Sequence, residues 1–249
     1  MAELHEDRNR ALSFGAIAAD YDRLRPRYAA ATVDAIADGA RTAADIGAGT
    51  GILARQLRDR GVDVLAVEPD GAMAGVARAS GVPAEVATFK EWDAAGRTFD
   101  LVTFGQSFHW VDADRAIPRL AALLNPGGRV ALLWNRLRPT RPANEALRAA
   151  SPDYVNVEAA GAGSPHDQMY RMAELRGRFE ADGFTVSERE DSWIETQSAG
   201  RWLDLVFTYS AHSTLPEDRR AALRAALAEV IGDGDVELVA GTTTLIAQR

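Results

Sequence analysis

Cysteine is absent from the 249-residue sequence, which excludes disulfides, thiolate zinc sites and cysteine nucleophiles together and suits a reducing compartment. Histidine is scarce. The four residues His5, His109, His166 and His212 form no close pair, so no metal site is expected. No stretch approaches the roughly 20 apolar residues of a membrane helix. The first residues carry charges at Glu3, Glu6, Asp7, Arg8 and Arg10 where a signal peptide would be apolar, so no membrane association and a soluble, cytoplasmic chain are expected. Basic residues are in deficit, 28 Lys and Arg against 36 Asp and Glu, and the net charge of −8 disfavours nucleic acid as a partner. Repeats and low-complexity tracts are missing as well.

What is present is an ordinary globular composition, 47% hydrophobic and 26% charged, able to bury a substantial core. From Arg41 onward short apolar runs alternate with amphipathic stretches, the pattern of βα units around a mainly parallel sheet. Strands are predicted at 43–46, 63–67, 84–86, 101–104 and 129–134, with helices at 52–60, 72–79 and 113–124. Asn125-Pro126-Gly127-Gly128 reads as the turn into the fifth strand, and Pro118 should kink the helix before it. Beyond Trp134 the pattern loosens through Arg138–Pro142 and the small-residue stretch 160–165. Regularity returns with a helix at 168–182, a strand at 185–194, helices at 199–209 and 217–231, and a strand at 236–247. The expected architecture is one α/β domain over 1–249: a doubly wound, Rossmann-like, seven-stranded mainly parallel sheet with an antiparallel edge strand. Within it, 1–40 forms a helical lid, 41–135 the cofactor-binding core, 136–183 a helical insertion after strand 5, and 184–249 the remaining sheet and acceptor-side helices.

The chemistry concentrates in Asp45-Ile46-Gly47-Ala48-Gly49-Thr50-Gly51, which places glycines between a strand end and a helix start, where a ligand can approach the backbone closely. Glu68 follows Gly49 by 19 residues and closes the second strand, where a carboxylate can accept hydrogen bonds from both hydroxyls of an adenosine ribose. A nicotinamide dinucleotide site is the rival reading, but its third glycine would fall at Ile52.

The stretches 14–28, Asp45–Gly51, Val67-Glu68-Pro69, Phe99-Asp100-Leu101-Val102 and Leu124-Asn125-Pro126-Gly127-Gly128 together resemble the class I S-adenosylmethionine-dependent methyltransferases, in particular the small-molecule type of ubiquinone and menaquinone biosynthesis. The resemblance implies S-adenosylmethionine as cofactor, S-adenosylhomocysteine as product, and Asp45, Gly47, Ala48, Gly49, Glu68, Pro69, Gly105, Gln106 and Ser107 as cofactor-binding residues. Asp70 and Ala87 would border the adenine with Thr88 and Phe89, although the family often has an acidic residue there and this chain offers only Glu91. Tyr21 and Arg27, at the end of an amphipathic helix built on Phe14, Ile17, Ala18 and Tyr21, would lie near the cofactor's carboxylate.

On the acceptor side, Phe104-Gly105-Gln106-Ser107-Phe108-His109-Trp110 follows the fourth strand, at the carboxyl edge where open α/β sheets bind ligands. His109 is the candidate general base, useful for a hydroxyl acceptor and needless where positioning and desolvation suffice. Trp193, Trp202, Phe207, Tyr209 and His212 could line a pocket for a planar compound. The expected activity is methyl transfer to a small organic acceptor, preferably at oxygen, by a monomer or homodimer. Alternatives are non-methylating chemistry such as cyclisation, regulatory binding of the cofactor, and methylation of tRNA or protein.

Overall fold

The computed structural model describes residues 18–155 and 165–249. Phe14, Ile17 and His5 lie outside them, as do residues 160–164 of the small-residue stretch and the side chain of His166.

The chain opens with α1 (Ala18–Leu24) and α2 (Ala30–Ala37), separated at Arg25-Pro26 as the proline requires. β1 (Thr42–Ile46), α3 (Ile52–Arg58), β2 (Asp63–Val67), α4 (Gly71–Ala79) and the two-residue β3 (Ala84–Glu85) follow. β4 (Phe99–Gly105) leads through a single 3-10 turn, Phe108–Trp110, to α5 (Ala113–Leu123) and the long β5 (Leu124–Arg141). The remainder comprises α6 (Asn144–Ala150), α7 (Pro165–Ala181), β6 (Thr185–Ser198), α8 (Ala199–Val206), the short α9 (Ser210–Ser213), α10 (Glu217–Ile231) and β7 (Asp235–Gln248).

The seven strands form one sheet in the order β3-β2-β1-β4-β5-β7-β6. The first five run parallel, and β7 is antiparallel to both β5 and β6, so the reversed strand sits one place in from the edge. Parallel strands covered on both faces read as continuous apolar runs. Val130, Ala131, Leu132 and Leu133 are accordingly all buried, dividing between a core beneath α5 and α7 and another beneath α2 and α3. α5 buries Ala116, Ile117, Leu120 and Leu123, one stripe at helical spacing, and continues helical past Pro118.

The Asn125–Gly128 turn is built as a bulge: Leu124 lies opposite Phe99 and Arg129 opposite Leu101. A Cβ on Gly128 would stand 2.9 Å from the Asn125 carbonyl, so only glycine fits. Asp100 fastens this corner, accepting from Asn125 Nδ2 at 2.8 Å and from the amides of Arg41 and Thr42 at 2.9 and 3.1 Å.

Two expected strands prove longer. β5 does not stop at Trp134 but continues to Arg141, and β6 runs on to Ser198, because both are paired along β7 well past the end of β4. Residues 136–141, expected to begin a helical insertion, are therefore strand. This three-stranded flap stands above the carboxyl edge of the parallel strands, on the side where a ligand crevice forms. A third core of Leu147, Trp202, Leu205, Leu223, Leu227 and Leu238 packs α6, α8 and α10 against it.

Candidate active site

At the end of β1 the chain turns through Gly47 (φ +64°), Gly49 (φ +58°) and Gly51 (φ +82°), all in the left-handed region that side chains disfavour. The three differ in surroundings. A Cβ on Gly47 would fall 2.5 Å from Ser107 Cβ, and one on Gly51 would fall 3.2 Å from Ala77 Cβ, whereas Gly49 has nothing within 4 Å. The first and third glycines thus allow close packing, and the middle one faces open space.

Glu68, at the end of β2, is buried and its carboxylate bridges two loops: Oε2 accepts from the Gly49 amide at 2.8 Å and Oε1 from the Asp70 amide at 2.9 Å. Burial raises its pKa, and these two amides partly oppose the rise. Each oxygen keeps a second lone pair. Asp70 in turn caps α4, accepting from Ala72 N at 2.8 Å and Met73 N at 3.2 Å. Pro69 lies half-buried between the two acids.

Asp45 is more deeply placed, 1% exposed, with Oδ1 accepting from the Thr103 hydroxyl at 2.7 Å and Oδ2 making no hydrogen bond. Desolvation pushes its carboxyl up to about 7, against the pull of Thr103, with neighbouring Glu68 pushing the same way as burial. A buried, unsatisfied carboxylate oxygen is costly in isolation and attracts a cation.

The loop after β4 closes the other side. Ser107 Oγ donates to the Ile46 carbonyl at 2.5 Å, seating this loop against the glycine turn. Gln106 adopts φ +60° and donates through Nε2 to the Asn135 carbonyl at 2.8 Å. A Cβ on Gly105 would lie 2.5 Å from the Tyr28 hydroxyl, so that glycine admits the N-terminal segment. His109 and Trp110 sit half-buried on the 3-10 turn, ring centroids 4.9 Å apart.

Asp45, Gly47, Ala48, Gly49, Glu68, Pro69, Gly105, Gln106 and Ser107 thus converge at the carboxyl ends of β1, β2 and β4. The others are placed differently. Thr88 donates to Glu91 Oε2 at 2.8 Å and accepts from Glu91 N, closing its own turn. Phe89 is a core residue, edge-on to Phe104 at 5.5 Å and covered by the Arg119 guanidinium at 4.7 Å. Tyr21 lies on α1, which an Asp22–Arg55 ion pair ties to α3, and its ring meets the Arg25 guanidinium at 4.5 Å. Arg27 is exposed on the strap between α1 and α2.

Of the C-terminal aromatics, Trp202 is fully buried core rather than pocket lining. His212 is buried and neutral: Nδ1 lies 2.9 Å from the Val206 carbonyl as donor, Nε2 accepts from Val155 N at 3.1 Å, and burial lowers its pKa. Trp193 lines a cleft between β6 and the strap that joins α1 to α2.

The structure adds residues that sequence reading passed over. Asn135 Nδ2 donates to the Pro26 and Arg27 carbonyls, each at 3.3 Å, and Asn135 Oδ1 accepts from Thr242 Oγ1 at 2.6 Å. Thr242 Oγ1 accepts from Ala29 N at 3.1 Å. This network joins the N-terminal strap, the loop after β4 and the flap. Its one sequence signal is the run of threonines at 242–244, polar residues in the middle of β7.

A doubly wound sheet with a glycine turn and a carboxylate on adjacent strand ends defines a Rossmann-like nucleotide-type crevice. Residues 21–189 match the methyltransferase domain family, and the chain belongs to it. An uncharacterized methyltransferase of Mycobacterium tuberculosis is 43% identical over 132 residues, 51% of this chain and 54% of that protein, so the chain spans about half the length of that relative. An uncharacterized methyltransferase of Schizosaccharomyces pombe is 26% identical over 86% of this chain and 84% of its own. Among solved structures, a proposed type II methyltransferase from Anaeromyxobacter dehalogenans superposes with TM-score 0.59 at 22% identity, covering 90% of this chain and 97% of that one. Mycolic acid cyclopropane synthase, complexed with S-adenosylhomocysteine, gives 0.54 at 13% identity over 97% and 98%. These two share the fold.

Proposed function

We propose that the protein transfers a methyl group from S-adenosylmethionine to a small organic acceptor, preferably at oxygen. The observation that carries this reading is the Glu68 carboxylate held 2.8 Å from the amide of Gly49, beside the one glycine of the turn that faces open space.

The residues fit the cofactor. Glu68 has free lone pairs for two ribose hydroxyls, and the open side of Gly49 admits close approach to the backbone. The unsatisfied Oδ2 of Asp45 complements the amino-acid ammonium. Family membership and the adenosyl ligand of the structurally similar cyclopropane synthase favour the same choice. When bound, S-adenosylmethionine supplies a sulfonium methyl, an electrophile whose departure leaves a neutral thioether.

The chain's own contribution is to orient and to exclude water. Ser107 and Gln106 fix the loop after β4, so that an acceptor held against it would have little freedom left to lose. Tyr28, packed on Gly105, screens that corner from solvent. His109, half-buried on the next turn, accepts the proton of a hydroxyl acceptor as its oxygen becomes methylated.

Thermal-shift titration with S-adenosylhomocysteine, S-adenosylmethionine and NAD in parallel tests the reading. At about 100 times its Kd a ligand stabilises the native state by roughly 2.7 kcal/mol, a shift of about 5–10 °C for a chain of this size. The two adenosyl compounds are expected to produce it and NAD is not; the reverse would overturn the reading. Product mass then separates methyl transfer from an isomerising cyclisation.

A further inference from the structure

A second cleft, of about 550 Å³, opens between the N-terminal strap, β6 and the start of α8. That volume falls within the roughly 300–1,000 Å³ of small-molecule sites. Asp191, Trp193, Glu195 and Gln197 alternate along β6 and share one face, the face on which Thr32 of α2 bonds Asp191, while Ile194 is exposed on the other. Arg25, Arg27 and Arg201 complete the basic side.

Charge in the cleft is unbalanced. Asp191 is held by Arg189 in a two-point ion pair at 2.6 and 2.8 Å. Glu195 accepts from Gln197 Nε2 at 2.6 Å and from Trp193 Nε1 at 3.4 Å, neutral donors both. Among the described residues, none of Arg25, Arg27 and Arg201 has a carboxylate partner. Arg25 is clamped between the rings of Tyr21 and Tyr209, 4.5 and 3.7 Å from their centroids, which presets its guanidinium. Two buried polar atoms in this lining have no hydrogen-bond partner: the donor Nε of Arg25 and the acceptor Oε1 of Gln197, a residue only 4% exposed. Native interiors rarely leave such atoms unsatisfied, and a ligand is one way to satisfy them.

The cleft also adjoins the candidate active site. Tyr28 lines it and packs on Gly105, and the Pro26 and Arg27 carbonyls are bound by Asn135, whose own carbonyl holds Gln106. We propose that this cleft recognises the methyl acceptor, and that the acceptor is a small carboxylate carrying a further hydroxyl or amino donor. The anion meets the arginines and the donor meets Gln197 Oε1, with Trp193 offering a flat apolar wall. This rests on the methyltransferase reading above.

The test is ligand-observed NMR on protein saturated with S-adenosylhomocysteine, using hydroxy acids such as 4-hydroxybenzoate and 3-hydroxybutyrate beside their neutral amides. Acids are expected to bind at least about tenfold more tightly than the matching amides, and Arg201→Met to remove about that advantage while leaving the affinity for S-adenosylhomocysteine unchanged. Equal binding of acids and amides, no binding of either, or an unaltered preference in Arg201→Met would overturn the proposal. So would weaker S-adenosylhomocysteine binding in that variant, which would assign the cleft to the cofactor's own carboxylate. Cofactor affinity is read in the same samples: if it is intact while acids fail, the acceptor proposal alone falls, and if it is absent the methyltransferase reading falls first.

Discussion

Glu68 and Gly49 are 19 residues apart in sequence and joined by a 2.8 Å hydrogen bond from the glycine amide to Oε2 of the carboxylate. One side chain therefore shapes the glycine turn and, in the proposed site, would also bind the cofactor's ribose. Glu68→Ala should weaken S-adenosylhomocysteine binding by about 1.5–3 kcal/mol, the range for hydrogen bonds to a charged group. Calorimetry would measure it, and 2′,3′-dideoxyadenosine, lacking both hydroxyls, should show a much smaller loss. An equal loss for both ligands would assign Glu68 to the turn alone.

Gly47 and Gly49 should respond differently to alanine. At Gly47 the new Cβ meets Ser107, adding about 1–3 kcal/mol of overpacking to about 1–2 kcal/mol for a left-handed backbone. Gly49→Ala should carry only the backbone cost in denaturant unfolding, yet lose cofactor affinity by at least about tenfold, since its Cβ enters the space left for the ligand. Pairing Gly47→Ala with Ser107→Gly should recover part of the stability. No recovery would mean that the Ser107 contact is not the cause.

Asp45 is expected to make cofactor binding pH-dependent. Its carboxyl rises to about 7 from an unfolded value near 3.9, so the stability it contributes without ligand is present below about pH 4 and lost as pH rises through about 7. A cationic amino group needs the ionised form, so affinity for S-adenosylhomocysteine should climb over the same window, by up to about tenfold per pH unit. Glu68 shifts in the same direction, and Asp45→Asn isolates the Asp45 part. Titrations in buffers of different ionisation enthalpy should detect a proton released at pH 6 by the parent and less by the variant. Identical proton release would remove Asp45 from the cofactor site.

His109→Ala should lower kcat by about 10²–10⁴ if the ring removes a proton, with the Kd for S-adenosylhomocysteine within about twofold of the parent. Equal losses in turnover and cofactor affinity would show that the residue shapes the loop after β4 instead.

Much of the fold was legible because periodicity is local. Apolar runs at β1, β2, β4 and β5 read as buried parallel strands, and α5 and α10 showed their stripes at the expected spacing. The glycine turn and Glu68 were legible for the same reason: left-handed backbone and a strand-end carboxylate are recorded in a few adjacent residues. The far ends of β5 and β6 were not. Arg138, Pro139 and Arg141 have loop-like composition, and they extend because β7 supplies their hydrogen bonds. Phe89 and Trp202 illustrate the same limit, since an aromatic side chain packs equally well in a core or a pocket.

The sequence by itself determined the order of elements, the family and the chemical types gathered at the carboxyl edge, all properties of short segments. Only the tertiary structure decided which of those side chains share a space. Asn135, Thr242 and Gln106 come from three strands or their loops, and Arg25, Arg201 and Gln197 from a strap, a helix and a flap. Their meeting depends on strand register and on helix packing over the sheet, which are set by contacts as distant in sequence as that of Asn135 with Thr242, 107 positions apart.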